Sequence, residues 1–464
     1  MNKQQKRIRL NEFQNQISSE LVTHQKLDIK IRNANLKEIV FSLLKDSLEK
    51  LNSLIELNLQ LQKENSKEQM HQDCLYVSKL SLIISNLKDV SSLNIDLRNN
   101  QIKNEDISRL IISFENCQNI TKLQLNFMGN DFNENDMINL FASLKKCQKL
   151  IELCLQVELD CFYDEKNTLV LGQGVENCSN LQILQLIIYF KILNREEIKQ
   201  ISPHPNIRGI VMQIENKSVT SLHLQLKNDD QFYQSYSKQS FSLNLKNMIN
   251  LRNLSLQINK SGLNTKMVNQ IGKQIENLAN LENLNLDFSN NHIGYLTFDE
   301  IEKIKCKTSN KTCQINIPLT LISSLSKCQK LKKLDLDLKY NSLRWICENY
   351  GLGDFAKLFG ELKHLTQFSI DLSFFRQRIK RSQKFKRTQP KFIRKHQFEH
   401  QTFSIWAQFV NKFGITQPRF IIRFTFQHKL CNISAIVLQE TQILILEFTK
   451  YMLLQYRSQL KIKI

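Results

Sequence analysis

The chain of 464 residues has 41% apolar and 23% charged residues, the composition of an ordinary globular protein rather than of a disordered or fibrous one. Its formal net charge is +20, which makes nucleic acid or an anionic membrane surface a partner to consider. No run of about 18 apolar residues is free of charges, and the N-terminus lacks the apolar core of a secretory signal. We therefore expect no transmembrane segment and a cytoplasmic location, with a nuclear one as the alternative.

A unit of about 30 residues recurs along roughly three quarters of the chain. It reads L-x-x-L-x-L-x-L and is preceded by Cys or another apolar residue, as in CQNITKLQLNF from Cys117, CQKLIELCLQV from Cys147 and CQKLKKLDLDL from Cys328. Each such unit can bury its apolar face only against its neighbours. The repeat therefore predicts a solenoid.

The L-x-L-x-L part of each unit alternates strictly, which predicts a strand with one buried face. We call the third apolar residue of each unit, counted from the Cys position, the anchor. Successive anchors lie 30 to 38 residues apart, except for a step of 50 that holds an insertion around Glu300–Ile315. The anchors are Leu27, Leu57, Leu93, Leu123, Leu153, Leu184, Leu222, Leu254, Leu284, Leu334 and Phe368.

The remainder of a unit has helical spacing, as in Ile107, Leu110, Ile111 and Phe114 ahead of Cys117. The segment Ile207–Ile214 also resembles a unit, but it follows two prolines and lies too close to the Leu222 anchor, so we expect it to be irregular.

A short polar residue follows each strand, and we expect its side chain to hydrogen-bond the backbone as the chain leaves the sheet. Asn100, Asn130, Asp160, Ser261, Asn291 and Asn341 occupy this place.

Four of the eleven cysteines, Cys117, Cys147, Cys178 and Cys328, share one repeat position with Leu and Met elsewhere. A position shared by these residue types is a buried apolar one. We expect reduced thiols there rather than disulfides.

One strand and one helix per unit, with this leucine pattern, resembles the leucine-rich repeat proteins. The long helical half is similar to the ribonuclease-inhibitor-like class, and the whole resembles repeat arrays of AT-rich unicellular eukaryotes. The resemblance implies an α/β leucine-rich-repeat solenoid, a horseshoe with a parallel concave sheet and outer helices. We expect a basic polar N-terminal segment at 1–20, about eleven units at 21–375, and a basic C-terminal extension of unknown fold at 376–464.

Motifs for catalysis are missing from the sequence. There is no Gly-rich kinase loop, no H-R-D, no P-loop, no H-E-x-x-H and no C-x-x-C, and the nine His are scattered. We therefore expect a non-enzyme with no catalytic residues, no metal site and no cofactor.

The resemblance implies that residues between the strand leucines line the concave face, where partners bind. That face is rich in Asn, Gln and Ser, including Gln225 and Gln257, and its C-terminal end is acidic. Like charges on neighbouring strands repel unless a cation or a basic partner covers them. We expect Asp287, Asp335, Asp337 and Asp371 either to form a site for a basic segment or to be a solvated polar surface.

An apolar group around the Leu184 anchor, made of Ile183, Ile187, Tyr189 and Phe190, is the second candidate on this face. The alternative is that Tyr189 and Phe190 pack beneath residues 201–214.

Residues 376–395 hold ten Lys and Arg and no acid. This basic tail could bind nucleic-acid phosphates, act as a nuclear import signal or bind an anionic membrane. The alternatives without a function are a solvated run of charges and a translated intron. Its candidate residues are Lys380, Arg381, Lys384, Lys386, Arg387, Arg394 and Lys395.

The expected function is a scaffold that binds a protein partner on the concave face, with the oligomeric state left open. Nucleic-acid association through the tail is the first alternative. Activation of a small GTPase, which the ribonuclease-inhibitor-like class includes, is the second.

Overall fold

The structure is a computed structural model of the chain. It describes residues 6–8, 25–32, 44–45, 48, 54–62, 75–160, 169–191, 210–228, 241–245, 247–294, 319–341, 362, 364–371, 420–423, 433–437 and 444–448. The chain divides into two compact units, Met1–Ser255 and Leu256–Ile464. The predicted insertion at 300–315 lies outside the described residues.

The first unit contains a long parallel sheet. Its strands follow the order β1-β2-β3-β4-β5-β6-β8-β10, and all of these neighbours run parallel. They are β1 (Lys6–Ile8), β2 (Lys26–Arg32), β3 (Glu56–Gln62), β4 (Ser92–Asp96), β5 (Lys122–Asn126), β6 (Glu152–Asp160), β7 (Leu169–Leu171), β8 (Ile183–Lys191), β9 (Ile210–Gln213), β10 (Ser221–Asn228) and β11 (Phe241–Asn244), of which β7, β9 and β11 belong to a second sheet.

The predicted anchors set the register of this sheet. Leu27 pairs with Leu57, and the pairing continues strand by strand through Leu184 to Leu222. In β5 the pattern is typical: Leu123 and Leu125 are buried, while the alternate residues Lys122 and Gln124 remain half-exposed. Alternating leucines therefore build the core, and the residues between them form the opposite surface, here called the open face.

Helices in the return segments close the other side of the core. They are α1 (Leu75–Ser85), α2 (Asn104–Ser113) and α3 (Glu134–Leu144), with short 3-10 turns at Phe114–Asn116 and Val175–Asn177. Ile107, Leu110 and Ile111 of α2 are buried, as the helical spacing predicted.

The expectation of an irregular segment at 207–214 is wrong. Ile210–Gln213 forms β9, the middle strand of a second parallel sheet ordered β11-β9-β7. Phe241 and Leu243 of β11 are buried while Ser242 is exposed, and in β9 Met212 is buried while Gln213 is exposed, so these two segments bury alternate residues as a strand does. Three successive return segments thus contain a strand.

The second unit repeats the leucine pattern. Leu284, Leu334 and Phe368 pair in register as parallel neighbours. Beyond them β16 runs parallel to the preceding strand, and β17 and β18 follow antiparallel. The strands are β12 (Asn253–Ile258), which contains the division between the units, β13 (Asn283–Asp287), β14 (Lys333–Asp337), β15 (Gln367–Asp371), β16 (Phe420–Arg423), β17 (Ile433–Val437) and β18 (Leu444–Phe448); the helices are α4 (Thr265–Ile275) and α5 (Leu319–Ser326).

A ladder of buried asparagines ties neighbouring repeats together. Asn130 donates to the carbonyls of Leu97 at 2.8 Å and Phe127 at 3.0 Å, and accepts from the Ile102 N–H at 2.9 Å. Asn341 makes the equivalent bonds to Phe288, Leu338 and Ile293. These amides satisfy buried backbone groups that the loop leaves unpaired. The predicted role is confirmed for Asn100, Asn130, Asn291 and Asn341.

The remaining two of the six predicted positions are Ser261 and Asp160. The Ser261 hydroxyl reaches the carbonyl of Asn259 in its own turn, and the Ser261 N–H donates to the side chain of Asn291. The Ser261 side chain therefore bonds the backbone as the chain leaves the sheet, as predicted, but within its own repeat. Asp160 is the last residue of β6, and its side chain lies outside the described residues.

The residue before each ladder position adopts a left-handed conformation. The φ angle is 58° at Asn99, 68° at Gly129, 55° at Asn290 and 57° at Tyr340. Most side chains avoid this region, whereas Asn and Gly tolerate it. At Gly129 a Cβ would also lie 2.2 Å from the Asn99 side-chain oxygen.

Cysteines form a second ladder. Cys117, Cys147, Cys178 and Cys328 are buried, as predicted. The Cys147 Sγ lies 3.2 Å from the Phe114 carbonyl, and the Cys117 Sγ lies 3.4 Å from that of Ile84, the corresponding position one repeat earlier. The thiol thus fills an apolar site and donates a weak hydrogen bond. With these ladders and the anchor registers, both units have the architecture of an α/β leucine-rich-repeat solenoid.

Candidate functional site

The open face consists of two main rows of side chains in strand register. In the first row of the first unit, each residue pairs with the next one on the neighbouring strand. These residues are Asp28, Asn58, Asn94, Gln124, Cys154, Gln185 and His223. The second row pairs Lys30, Gln60, Asp96, Asn126, Gln156, Ile187 and Gln225. The rows are those that the strand pattern predicted. Most of these side chains are half-exposed, but Cys154, Asp96 and Asn126 are buried.

The acidic residues of the second unit also lie in register. Asp287 pairs with Asp337, which pairs with Asp371, while Asp335 lies between Asn285 and Ser369 in the neighbouring row. Asp335 is exposed and the other three carboxylates are half-exposed. We call Asp287, Asp337 and Asp371 the acidic row.

The side chain of Lys339 lies beside the acidic row. The Lys339 Nζ donates to Asp337 Oδ2 at 2.6 Å. Burial alone would lower the pKa of Lys339, but the bond to Asp337 and the charges of Asp287 and Asp371 raise it. Burial raises the pKa of the Asp337 carboxyl, the Lys339 contacts oppose that rise, and the Asp287 charge adds to it. One lysine therefore offsets part of the repulsion among the carboxylates.

Two members of the acidic row also shape the backbone. Asp287 Oδ1 accepts the Ser289 N–H and Asp337 Oδ1 accepts the Lys339 N–H, each at 3.0 Å. Asp96 and Asn126 make the same bond two residues ahead in the first unit. The sequence reasoning missed this turn, although the signal, an Asp or Asn recurring three residues after the anchor, was present.

The apolar group is only partly on the open face. Ile183, Ile187 and Tyr189 share that face of β8, whereas Phe190 points to the other side and is buried. Including Phe190 in the patch was wrong, because side chains alternate across a strand. Tyr189 is half-exposed, and Lys227 lies 2.7 Å from its hydroxyl and 4.8 Å from its ring centroid.

The other predicted site residues divide into two groups. Gln225 and Gln257 are half-exposed on the open face of β10 and β12. The basic-tail residues Lys380, Arg381, Lys384, Lys386, Arg387, Arg394 and Lys395 lie outside the described residues.

The described cysteines are poor nucleophiles. Burial raises the pKa of Cys117, Cys178 and Cys328 to about 12 and that of Cys147 to about 11. Such thiols remain protonated near neutral pH, and the thiolate is the reactive form. Within the described ranges no group of three His, Cys, Asp or Glu is placed to hold a metal ion. No helix in that part of the chain is long and apolar enough to cross a membrane.

Comparison with known proteins yields structural matches alone. No family model and no curated protein matches the sequence. Among solved structures, an internalin (inlF) from Listeria monocytogenes is 14% identical, with 79% of this chain and 83% of that chain covered and a TM-score of 0.30. An internalin C2 (inlC2) from the same species is 14% identical, with 72% and 83% covered and a TM-score of 0.22. These scores are low, so the fold assignment rests on the registers and ladders of the chain itself.

Proposed function

We propose that the protein is a non-enzymatic scaffold that binds a protein partner on the open face of its repeat sheet. The observation that carries the proposal is the alignment of half-exposed polar side chains in register along the strands. The strands are joined by backbone hydrogen bonds and pinned by the Asn ladder, so these side chains are held in place before a partner arrives. The Asn and Gln side chains on this surface can both donate and accept hydrogen bonds.

Variant pairs test this proposal. Gln60→Arg together with Gln185→Arg changes the open face, whereas Leu82→Arg together with Ile112→Arg changes the outer helices, where these two residues are 55% and 59% exposed. Full-length chains carrying either pair are used to capture proteins from nuclease-treated cell extract, and the captured proteins are quantified by mass spectrometry. The proposal expects the open-face pair to lose proteins that the helix pair retains. Equal capture by both, or capture that nuclease abolishes, contradicts it.

For the acidic row together with Asp335, we propose a basic polypeptide segment as the partner. Three carboxylates in register, with Asp335 in the neighbouring row, support the proposal. Among the described residues Lys339 bonds Asp337, and Arg423 follows Asp371 in the same register. A synthetic peptide of residues 376–395 is a suitable probe, since it carries ten cations.

Replacing Asp287, Asp335, Asp337 and Asp371 by Asn removes the charge but keeps an oxygen that accepts the turn hydrogen bonds of Asp287 and Asp337. We expect binding of this peptide in low salt to weaken by about tenfold or more, on the basis of coupling energies for charge pairs. Unchanged affinity would remove the acidic row as a site. The quadruple variant's unfolding midpoint is the control for fold.

A further inference from the structure

The open face of β8 differs in character from that of its neighbours. Ile183, Ile187 and Tyr189 lie along it, and Ile183 is 41% exposed. The other strands of the main sheets whose side chains are described carry polar residues on this face, apart from the buried Cys154 of β6. An apolar stripe one strand wide, interrupted by Gln185 between Ile183 and Ile187, therefore crosses a face that is otherwise rich in amides.

The residues beside the stripe are neutral in the middle and include charged ones at both ends. At the N-terminal end, Glu152 on β6 and Ser221 on β10 pair with Ile183, and Glu152 also forms an ion pair with Lys122 at 2.8 Å. Gln156 on β6 and Gln225 on β10 pair with Ile187 on either side. At the C-terminal end, Glu158 and Lys227 pair with Tyr189 on opposite sides. Burial lowers the pKa of His223, so this neighbour in the first row is neutral near pH 7. The β6 border thus carries two acids, Glu152 and Glu158, and the β10 border carries one base, Lys227.

The dimensions of the stripe fit a single helix. Strands lie about 4.8 Å apart, so β6 and β10 are separated by about 10 Å across β8. An α-helix with its side chains is about 10–12 Å wide. β8 is nine residues long, which is about 30 Å of strand, and Ile183 and Ile187 lie about 13 Å apart along it. The stripe itself, from Ile183 to Tyr189, is about 20 Å long, which is room for nearly four helical turns.

We infer that the stripe Ile183–Ile187–Tyr189 is a docking surface for one amphipathic helix of a partner protein, lying along β8. Its apolar side contacts the stripe, a basic residue faces Glu158 and an acidic residue faces Lys227. This inference rests on the proposed function, because it names the kind of partner segment that the open face takes. Burial of the two isoleucines and the tyrosine supplies the affinity, and the charges of Glu158 and Lys227 at one end of the stripe fix which way the helix points.

A photoreactive residue at position 187 of the full-length chain tests the inference. Gln60 is the matched control position, because it occupies the same row on β3 and is also half-exposed. The probe is protein extract of the source cells, and the peptide joined to position 187 is sequenced. We expect a segment with apolar residues at helical spacing, joined to position 187 and not to position 60.

The affinity of that segment, made synthetically, is then measured. We expect Ile187→Glu to weaken binding by about tenfold or more, as for loss of a central anchor, and Gln60→Glu to leave it within about twofold. A cross-linked segment without helical periodicity, a second copy of this chain, or no effect of Ile187→Glu overturns the inference. A third chain carries the photoreactive residue at position 335. Cross-links at position 60 or 335 but not at 187 overturn the inference and leave the proposed function standing. No cross-link at any open-face position contradicts both.

Discussion

At the scale of the residue, the polar side chains that matter most for the fold are those that serve the backbone. A buried amide can donate to two carbonyls and accept from an N–H, which is why Asn recurs after the strands. The sequence predicted this role at Asn100, Asn130, Asn291 and Asn341. It did not predict the turn bonds of Asp287 and Asp337, because an Asp at that place is equally typical of a solvated surface.

Removing one ladder amide should be costly. Asn130→Ala leaves the Leu97 and Phe127 carbonyls and the Ile102 N–H buried without that partner, and we expect a loss of at least about 2 kcal/mol in the free energy of unfolding. Asn119→Ala removes an exposed amide that bonds the Lys88 carbonyl between repeats, and should cost less than about 1 kcal/mol. Urea titration of both variants checks this. Equal losses in the two variants would mean that the burial of Asn130 does not determine how much its hydrogen bonds stabilise the fold.

Thiol reactivity follows from the raised pKa values. Cys117, Cys147, Cys178 and Cys328 hold their protons at pH 8 and are buried, so iodoacetamide should leave them unmodified in the native protein and modify all four after unfolding in urea. Mass spectrometry of proteolytic peptides reads out each site. Rapid labelling of any of the four in the native chain contradicts the buried ladder.

At the scale of the element, the sequence predicted strands better than the segments between them. Every anchor lies in a strand because L-x-L-x-L repeats many times and each copy reinforces the pattern. Short runs such as Leu169–Leu171 and Phe241–Asn244 give too few alternations to separate strand from loop. In the structure these short runs are strands because β9 pairs with both β7 and β11.

Close helix packing depends on Gly272 in α4. A Cβ there would lie 2.9 Å from the Leu321 Cα of α5. We expect Gly272→Ala to destabilise the fold by about 1–2 kcal/mol, since overpacking outweighs the gain in helix propensity. The exposed Gln270→Ala in the same helix should change stability by less than about 0.5 kcal/mol. Thermal unfolding of the two variants compares them, and a stabilising Gly272→Ala would show that the two helices separate easily.

Asp136 links α2 to α3 by hydrogen bonds, and its contribution to the free energy of unfolding should depend on pH. It accepts from Ser108 at 3.0 Å, from Asn104, and from the N–H of the capping residue Asn133. Burial raises its pKa, an effect that these bonds reduce without reversing. The folded state therefore binds the proton more tightly than the unfolded state, so this contribution is full below the unfolded pKa and is lost as pH rises through the folded one.

Asp136→Asn cannot ionise, so the stability advantage of the natural residue over Asn should shrink between acidic and neutral pH. Urea midpoints of both proteins across that range measure it, with the exposed Asp131→Asn as the reference for general charge effects. An advantage that grows with pH has the opposite sign and contradicts the assignment.

At the scale of the molecule, the chain presents an open face whose rows were predictable and whose chemistry was predictable only in part. Row membership follows from strand period and register alone. The pairing of Lys227 with Tyr189 depends on a contact between strands that lie 38 residues apart in the chain, and the lowered pKa of His223 depends on its burial in the fold. Lys339 bonds Asp337 only two residues away, but its nearness to Asp287 and Asp371 depends on the strand register. The basic-tail prediction stays a prediction.

Hydroxyl-radical footprinting of the full-length protein, alone and with its captured partner, tests the central claim most directly. The account predicts that open-face side chains such as Ile187, Tyr189, Gln225 and Asp335 lose labelling in the complex, while Leu82 and Ile112 on the outer helices keep theirs. Protection of the helices with an unchanged open face would contradict it.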